Sequence, residues 1–256
     1  EMSRGLGDVY KRQAGYYVWM NARNDLFAGQ IEGWAESNAD EIFYGGNAPE
    51  APGPIHPADH QGKDKYSHFE GKLGLDQNGR NYSRDDEDVD AAIHKIQEYE
   101  GKQPLCLFLG LNDPHVPYQV EEPYFSAIDR TKLPRRIDAK KCTGKAKMLD
   151  LIRQYQNMGD YTEEDWGELR ATYLGMCTKV DSQFRRLCQA LKEKGIYDDC
   201  LIFFFSDHGD FAGDYGLTEK AQNTFEDCLT RVPLLIKPPK EKEDQELAMG
   251  VCGALT

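Results

Sequence analysis

The sequence predicts an α/β protein with a mainly parallel sheet sandwiched by helices. Three observations predict it. Two apolar runs, residues 105–111 and 201–205, are continuous rather than alternating, as strands buried on both faces are. A long helical pattern lies between them. A third run, residues 232–236, follows the second, with Pro238 and Pro239 behind it. Strand, helix and strand in that order form a crossover unit, which joins parallel neighbours.

The elements follow in chain order. Residues 1–13 lack apolar periodicity and are read as an unstructured, non-native scar. Residues 38–81 are rich in Gly, Pro, Asn, Asp and His and are read as one long loop. Asp85, Asp86, Glu87 and Asp88 place four acids where a helix macrodipole favours them. Val89, Ala92, Ile93, Ile96 and Tyr99 continue at helical spacing until Gly101 stops it. Pro104 precedes the first apolar run. Glu163 opens the strongest helix, in which Leu169, Tyr173, Met176, Val180, Phe184, Leu187 and Leu191 recur at three- and four-residue steps. Lys192, Lys194 and Gly195 end it. The runs 105–111, 201–205 and 232–236 are expected in one sheet, with this helix on one face. Residues 250–256 resume apolar character without a polar tail, so truncation at both ends is expected.

Composition narrows the partners. The 256 residues hold 31 Lys and Arg against 44 Asp and Glu, a formal net charge of −13. That balance argues against nucleic acid, which needs clustered cations, and against an anionic membrane surface. The longest apolar run is far too short for a transmembrane segment. The seven cysteines are scattered with no C-x-x-C, so a zinc knuckle is not indicated. Cys106, Cys177 and Cys188 fall in apolar patterns and are read as small buried hydrophobes.

Ligands of open α/β sheets bind beyond the carboxyl ends of strands. The run 105–111 leads into Asn112, Asp113, Pro114 and His115; the run 201–205 leads into Ser206, Asp207, His208 and Gly209. A carboxylate beside an imidazole suits a divalent cation, and Gly209 allows a sharp turn.

These residues carry a resemblance. Ser206-Asp207-His208-Gly209, then Gly213, Gly216 and Lys220, Phe225-Glu226 and Arg231-Val232-Pro233-Leu234 resemble the sulfatase family, a branch of the alkaline phosphatase superfamily. Pro114-His115-Val116-Pro117-Tyr118 resembles its P-H-x-P-Y turn, and Tyr173 and Asp181 its Y…D helix pattern. Residues 15–26 align to its G-Y-x-T-x-x-x-G-K-W-H-L segment, with Arg23 at the Lys and Asp25 at the His. The resemblance implies an alkaline phosphatase-like fold and a partial catalytic domain over residues 14–256. It implies Asp207 and His208 as metal ligands, His115 and Lys220 as catalytic residues at the leaving group and sulfate, and Arg23 as a substrate-binding cation. Arg23 keeps the charge and adds a two-pronged donor. Asp25 puts the usual role of that histidine in doubt.

The implied activity is hydrolysis of sulfate esters of a small molecule or glycan, using a divalent metal, Ca2+, and a formylglycine nucleophile. The family makes that nucleophile from C/S-x-P-x-R, a motif these residues do not contain. The acidic ligands that precede the aligned segment in the family are also expected to be missing, so this piece is expected to be inactive, unlike its longer parent. The parent's partner would be a formylglycine-generating enzyme, and the family is often periplasmic, secreted or lysosomal. Two alternatives stay open. One is a phosphodiester or phosphonate hydrolase of the same superfamily with Mn2+ or Zn2+, which suits the nitrogen of His208. The other is a non-catalytic member binding sulfated glycan, for which His56, His60, Tyr66 and His68 offer a carbohydrate surface.

Overall fold

A computed structural model describes residues 12–23, 38–46, 66–74, 81–221 and 224–240. They fall into two compact units, the first from Glu1–Ala51, Tyr82–Asp113 and Ser182–Gly195, the second from Pro52–Asn81, Pro114–Asp181 and Ile196–Thr256.

The first unit holds a parallel sheet of three strands, β1 (Tyr17–Asn21), β2 (Glu41–Phe43) and β4 (Leu105–Phe108), with β1 in the centre. β1 buries Val18 and Met20 against Ala39, with Ile42, Cys106 and Phe108 packed around them. Helix α1 (Arg84–Glu98) starts with a capping box: Ser83 Oγ accepts the Asp86 N–H and the Asp86 carboxylate accepts the Ser83 N–H. Its buried face includes Val89, Ala92 and Ile96, three of the residues the helical spacing selects. Two of its acids hold the exits of the strands. Asp85 accepts the N–H groups of Asn112 and Asp113 at 2.7–2.9 Å. Asp88 accepts from Asn21, whose amide also clasps Gly110 through both its N–H and its carbonyl. Burial pushes the Asp85 carboxyl above its usual range against the pull of those two N–H groups.

The second unit pairs β3 (Phe69–Lys72) with β5 (Tyr118–Val120) in parallel. Its core joins Val116, Tyr118 and Val120 to Trp166, Leu169 and Met176 of the long helix α3 (Glu163–Glu193) and to Met158 and Ala212. Thr162 and Asp165 cap α3 reciprocally, and Gly195 ends it at φ +78°. Lys179 of α3 meets Glu121, the residue after β5, at 3.1 Å, with 4% and 8% of the two side chains exposed. Helix α2 (Lys147–Gln156) packs Leu149 against Cys142, Phe211, Tyr215 and Leu217. β6 (Ile202–Phe205) and β7 (Leu234–Lys237) form a separate pair.

Four expectations are corrected. The three apolar runs do not share a sheet: β4 pairs with β1, whereas β6 and β7 pair with each other, antiparallel. Between β6 and β7 the described chain holds only single helical turns at Asp214–Gly216 and Asp227–Thr230, with no long helix of the kind that usually carries a parallel crossover. The long helix packs Trp166, Leu169 and Met176 on β5, a strand outside the three apolar runs. Residues 38–81 are not all loop, since β2 and β3 lie within them. Cys106, Cys177 and Cys188 are half-buried, and of the described thiols only Cys142 is buried. Residues 1–11 and 241–256, Asp25, His56 and His60 lie outside the described residues.

Candidate active site

The second unit brings His115 and Lys220 together. The chain leaves the first unit after Asp113 and turns through Pro114, His115 and Val116, ahead of a cis bond to Pro117. That turn feeds directly into β5, so the buried Val116 and Tyr118 fix where His115 stands. Lys220 comes from the opposite direction, after a loop whose Gly213 and Gly216 take φ of +96° and +68°. A side chain at Gly213 would also crowd Trp166 at 3.0 Å.

The Lys220 ammonium donates to His115 Nε2 at 2.7 Å. His115 Nδ1 lies 3.0 Å from the Val116 carbonyl and therefore carries the ring proton in the neutral tautomer. Glu219 completes the group. Its Oε1 lies 3.2 Å from Lys220 Nζ and 3.8 Å from His115 Nε2, and its Oε2 lies 3.5 Å from His68 Nε2. His68 is 2% exposed and stacks edge-on with Tyr66 at 4.0 Å. The expected carbohydrate surface therefore fails at His68, which is core.

Tyr118 ties this group to the Asp207 loop. Its hydroxyl donates to Asp210 Oδ1 at 2.6 Å and accepts the Glu219 N–H at 2.8 Å. Burial, with Asp210 beside it, pushes the Tyr118 phenol far above its usual range. Burial likewise raises the Asp210 carboxyl, against the bonds from Tyr118 and the Ala212 N–H. Tyr173 of α3 meets Tyr118 edge-on at 6.1 Å, so its place is in the core, while Asp181 is exposed.

Asp207 and His208 sit at the exit of β6 and are open, 79% and 36% exposed in their side chains. Asp207 Oδ1 accepts the His208 N–H at 2.9 Å. His208 Nδ1 donates to the Gly209 carbonyl at 2.8 Å, leaving Nε2 free to act as a ligand, 3.7 Å from Asp207 Oδ2. Gly209 is required for close approach rather than for a special dihedral. A Cβ there would collide with the Cys228 carbonyl oxygen, and the Gly209 N–H donates to the Leu229 carbonyl at 2.8 Å. One carboxylate oxygen and one imidazole nitrogen fit a divalent cation as part of a donor set. Among the described residues no three His, Cys, Asp or Glu side chains gather around a common point.

Arg23 lies in the first unit, exposed, with its charge acting on Asp85. A cleft of about 430 Å3 in that unit, between Trp19, Phe43 and α1, contains none of the candidate residues. Sequence reasoning missed Glu219 and Tyr118. Glu219 directly precedes Lys220 at φ +60°, a conformation with no side-chain signature, and Tyr118 is simply the tyrosine of the P-H-x-P-Y turn.

The order of the motifs decides the family. The sequence profile of the family described as Sulfatase matches residues 4–249. The chain belongs to the sulfatase family. Sulfatases are in general metal-dependent. The chain is 32% identical over 163 residues to the multifunctional alkaline phosphatase superfamily protein PehA of Trinickia caryophylli, covering 58% of this chain and 31% of that protein. It is 28% identical over 186 residues to arylsulfatase K of Danio rerio, covering 64% and 34%. The chain thus spans about a third of these curated relatives. The fold matches the phosphonate monoester hydrolase SpPMH from Silicibacter pomeroyi with a TM-score of 0.60 at 22% identity, over 89% of this chain and 51% of that one. The alkaline phosphatase-like α/β fold expected from the sequence is therefore the fold of this sulfatase-family chain. Among its described residues no helix is long and apolar enough to cross a membrane.

Proposed function

We propose that this chain carries the anion-binding and leaving-group side of a sulfate ester hydrolase. The observation that supports this most is the 2.7 Å contact between Lys220 and His115. A sulfate ester presents oxygens that gain charge as the ester bond breaks, and a fixed ammonium and imidazole at that point stabilise them without reorganisation. Lys220 would neutralise a sulfuryl oxygen. His115 Nε2, when it carries a proton, would pass it to the departing alkoxide or phenoxide, with Lys220 beside it at 2.7 Å. A general acid of this kind contributes ~10²–10⁴ in rate. His115 Nδ1–H stays on the Val116 carbonyl throughout and fixes the ring.

Asp207 and His208 would hold a divalent cation, Ca2+ in the sulfatase reading, which when bound polarises the sulfuryl oxygens. Arg23 would bind a further substrate oxygen. The attacking group would be a formylglycine produced by a formylglycine-generating enzyme, and the substrate a sulfated small molecule or glycan. The open nitrogen of His208 supports a second reading, a phosphodiester or phosphonate hydrolase using Mn2+ or Zn2+.

The test is turnover of an aryl sulfate and an aryl phosphate diester by a protein containing this chain together with a C/S-x-P-x-R segment, coexpressed with the formylglycine-generating enzyme. Sulfate hydrolysis lost in Lys220→Ala and in Asp207→Ala, the latter with loss of cation, bears out the reading. Diester turnover without sulfate turnover moves the function to the second reading. Wild-type rates in both variants reject the assignment of these residues.

A further inference from the structure

The Lys220–His115 pair is faced by a carboxylate that the proposed reaction does not use. Glu219 reaches Lys220 with Oε1 and His68 with Oε2, and Oε1 also faces His115. It is held there by more than its side chain. Its N–H donates to Tyr118 and its carbonyl accepts from Phe211 at 3.1 Å, both from other segments. These bonds keep the residue at φ +60°, in the left-handed region that a residue with a side chain enters only when its surroundings enforce it. Its charge is felt at Tyr66 and at Asp210, both of which it biases toward their protonated forms. The groups around it are thus one ammonium, two imidazoles, two phenols and a second carboxylate.

A carboxylate fixed between an ammonium and the space an anion must enter changes which anions can enter. With Glu219 ionised, Lys220 and Glu219 sum to zero, and the site offers one cation only when a histidine is protonated or a further cation approaches. A singly charged ester then binds with little repulsion. A doubly charged one must sit against the Glu219 carboxylate in a partly desolvated place, where like charges interact strongly.

We infer that Glu219 is a charge-class selector, admitting singly charged esters such as sulfate esters, phosphodiesters and phosphonate monoesters to the Lys220–His115 pair and opposing doubly charged phosphate monoesters. The inference rests on the reading of Lys220 and His115 as the anion-binding pair and adds to it a residue that decides between substrate classes. The second oxygen of Glu219 lies 3.5 Å from Nε2 of the buried His68.

The test uses the 256-residue chain at pH 8, where phenyl phosphate is doubly charged because its second pKa is near 6 and phenyl sulfate is singly charged. The binding of each is followed through the His115 ring resonances by NMR, in wild type, Glu219→Gln and Glu219→Gly. The glycine variant removes the carboxylate and accepts φ +60° without strain, so it keeps the test intact if glutamine disturbs the loop. The expected result is phenyl sulfate bound at least as tightly as phenyl phosphate in wild type, and a shift of the ratio toward phenyl phosphate by about tenfold or more in both variants. Binding of phenyl phosphate in the variants alone also supports the inference. A ratio within twofold of wild type in both variants overturns it while leaving the anion-binding reading standing. Neither anion moving the His115 resonances in any protein overturns that reading, and the inference with it.

Discussion

His115 with Lys220, and Asp207 with His208, are two pairs of chemically competent side chains in the same unit, and they are held in different ways. The first pair is assembled from distant segments. Residues 66–68, 115–118 and 219–220 converge on it: Tyr118 bonds to Glu219, Glu219 bonds to Lys220, and His68 lies 3.5 Å from Glu219. The second pair is a local turn. Asp207 and His208 bond to each other and to Gly209, and both side chains are open. The His115–Lys220 pair is thus preorganised by tertiary packing, while Asp207 and His208 form an open turn that, in the proposed reading, further donors would complete around a cation. Preorganised dipoles and charges are what stabilise a developing anion. A cation shell, by contrast, can be completed as the ion binds.

The comparison can be broken at several points. The largest effect is expected at the buried Lys179–Glu121 ion pair, which clamps α3 to the end of β5. Lys179→Met leaves Glu121 uncompensated and should lower the unfolding free energy of the unit by ~3–5 kcal/mol, with much of that loss recovered when Glu121→Leu is added. Denaturant melts of the single and double variants check this. His115 should lose its contact with Lys220 in the single variant, because β5 positions it.

Tyr118→Phe should cost ~1–3 kcal/mol, since it leaves the Asp210 carboxylate without its phenol donor and the Glu219 N–H without its acceptor. It should loosen Lys220 more than His208, and the His115 and His208 ring resonances report the two separately. Gly209→Ala tests the other pair. Its Cβ would collide with the Cys228 carbonyl, so the turn must shift at a cost of ~1–3 kcal/mol. Cation affinity should fall while phenyl sulfate still reaches His115.

The smallest effect is one of pH. Glu122, just past β5, is held at about 2 by Lys72 of β3 and by Ser126, well under the usual carboxylate value of 4.5. Its folded pKa is lowered, so its contribution to stability is present above the unfolded value and is lost as pH falls from about 4.5 through about 2. Both groups lie at the surface, so the effect on stability is slight. In Lys72→Ala the Glu122 carboxyl should titrate closer to its ordinary value, read from its carbon-13 shift.

Much of this was legible in the sequence wherever one physical signal acted alone. The helix at Glu163 declared itself by periodicity, and α1 by its acids and its apolar face. His115 and Lys220 stand at the ends of motifs, and the structure brings them together. Sheet membership was not legible. The apolar runs 201–205 and 232–236 look like buried parallel strands, yet continuity of apolar residues does not name the neighbour. β1 is a strand that Tyr17, Val18 and Trp19 suit, but its five residues are too short a run to stand out beside the motif that contains them. Glu219 was invisible for a simpler reason. A glutamate beside a lysine reads as a solvated pair until the backbone turns it inward.

The account depends most on Lys220 and His115 acting as one unit toward an anion. Long-range proton–nitrogen NMR of the His115 ring, with and without phenyl sulfate, in wild type and Lys220→Ala, tests that most directly. The account predicts a ring protonated at Nδ1, with Nε2 shifted by the Lys220 bond and shifted again by phenyl sulfate, and both shifts lost in Lys220→Ala. A ring protonated at Nε2, or a phenyl sulfate response unchanged by Lys220→Ala, would contradict it.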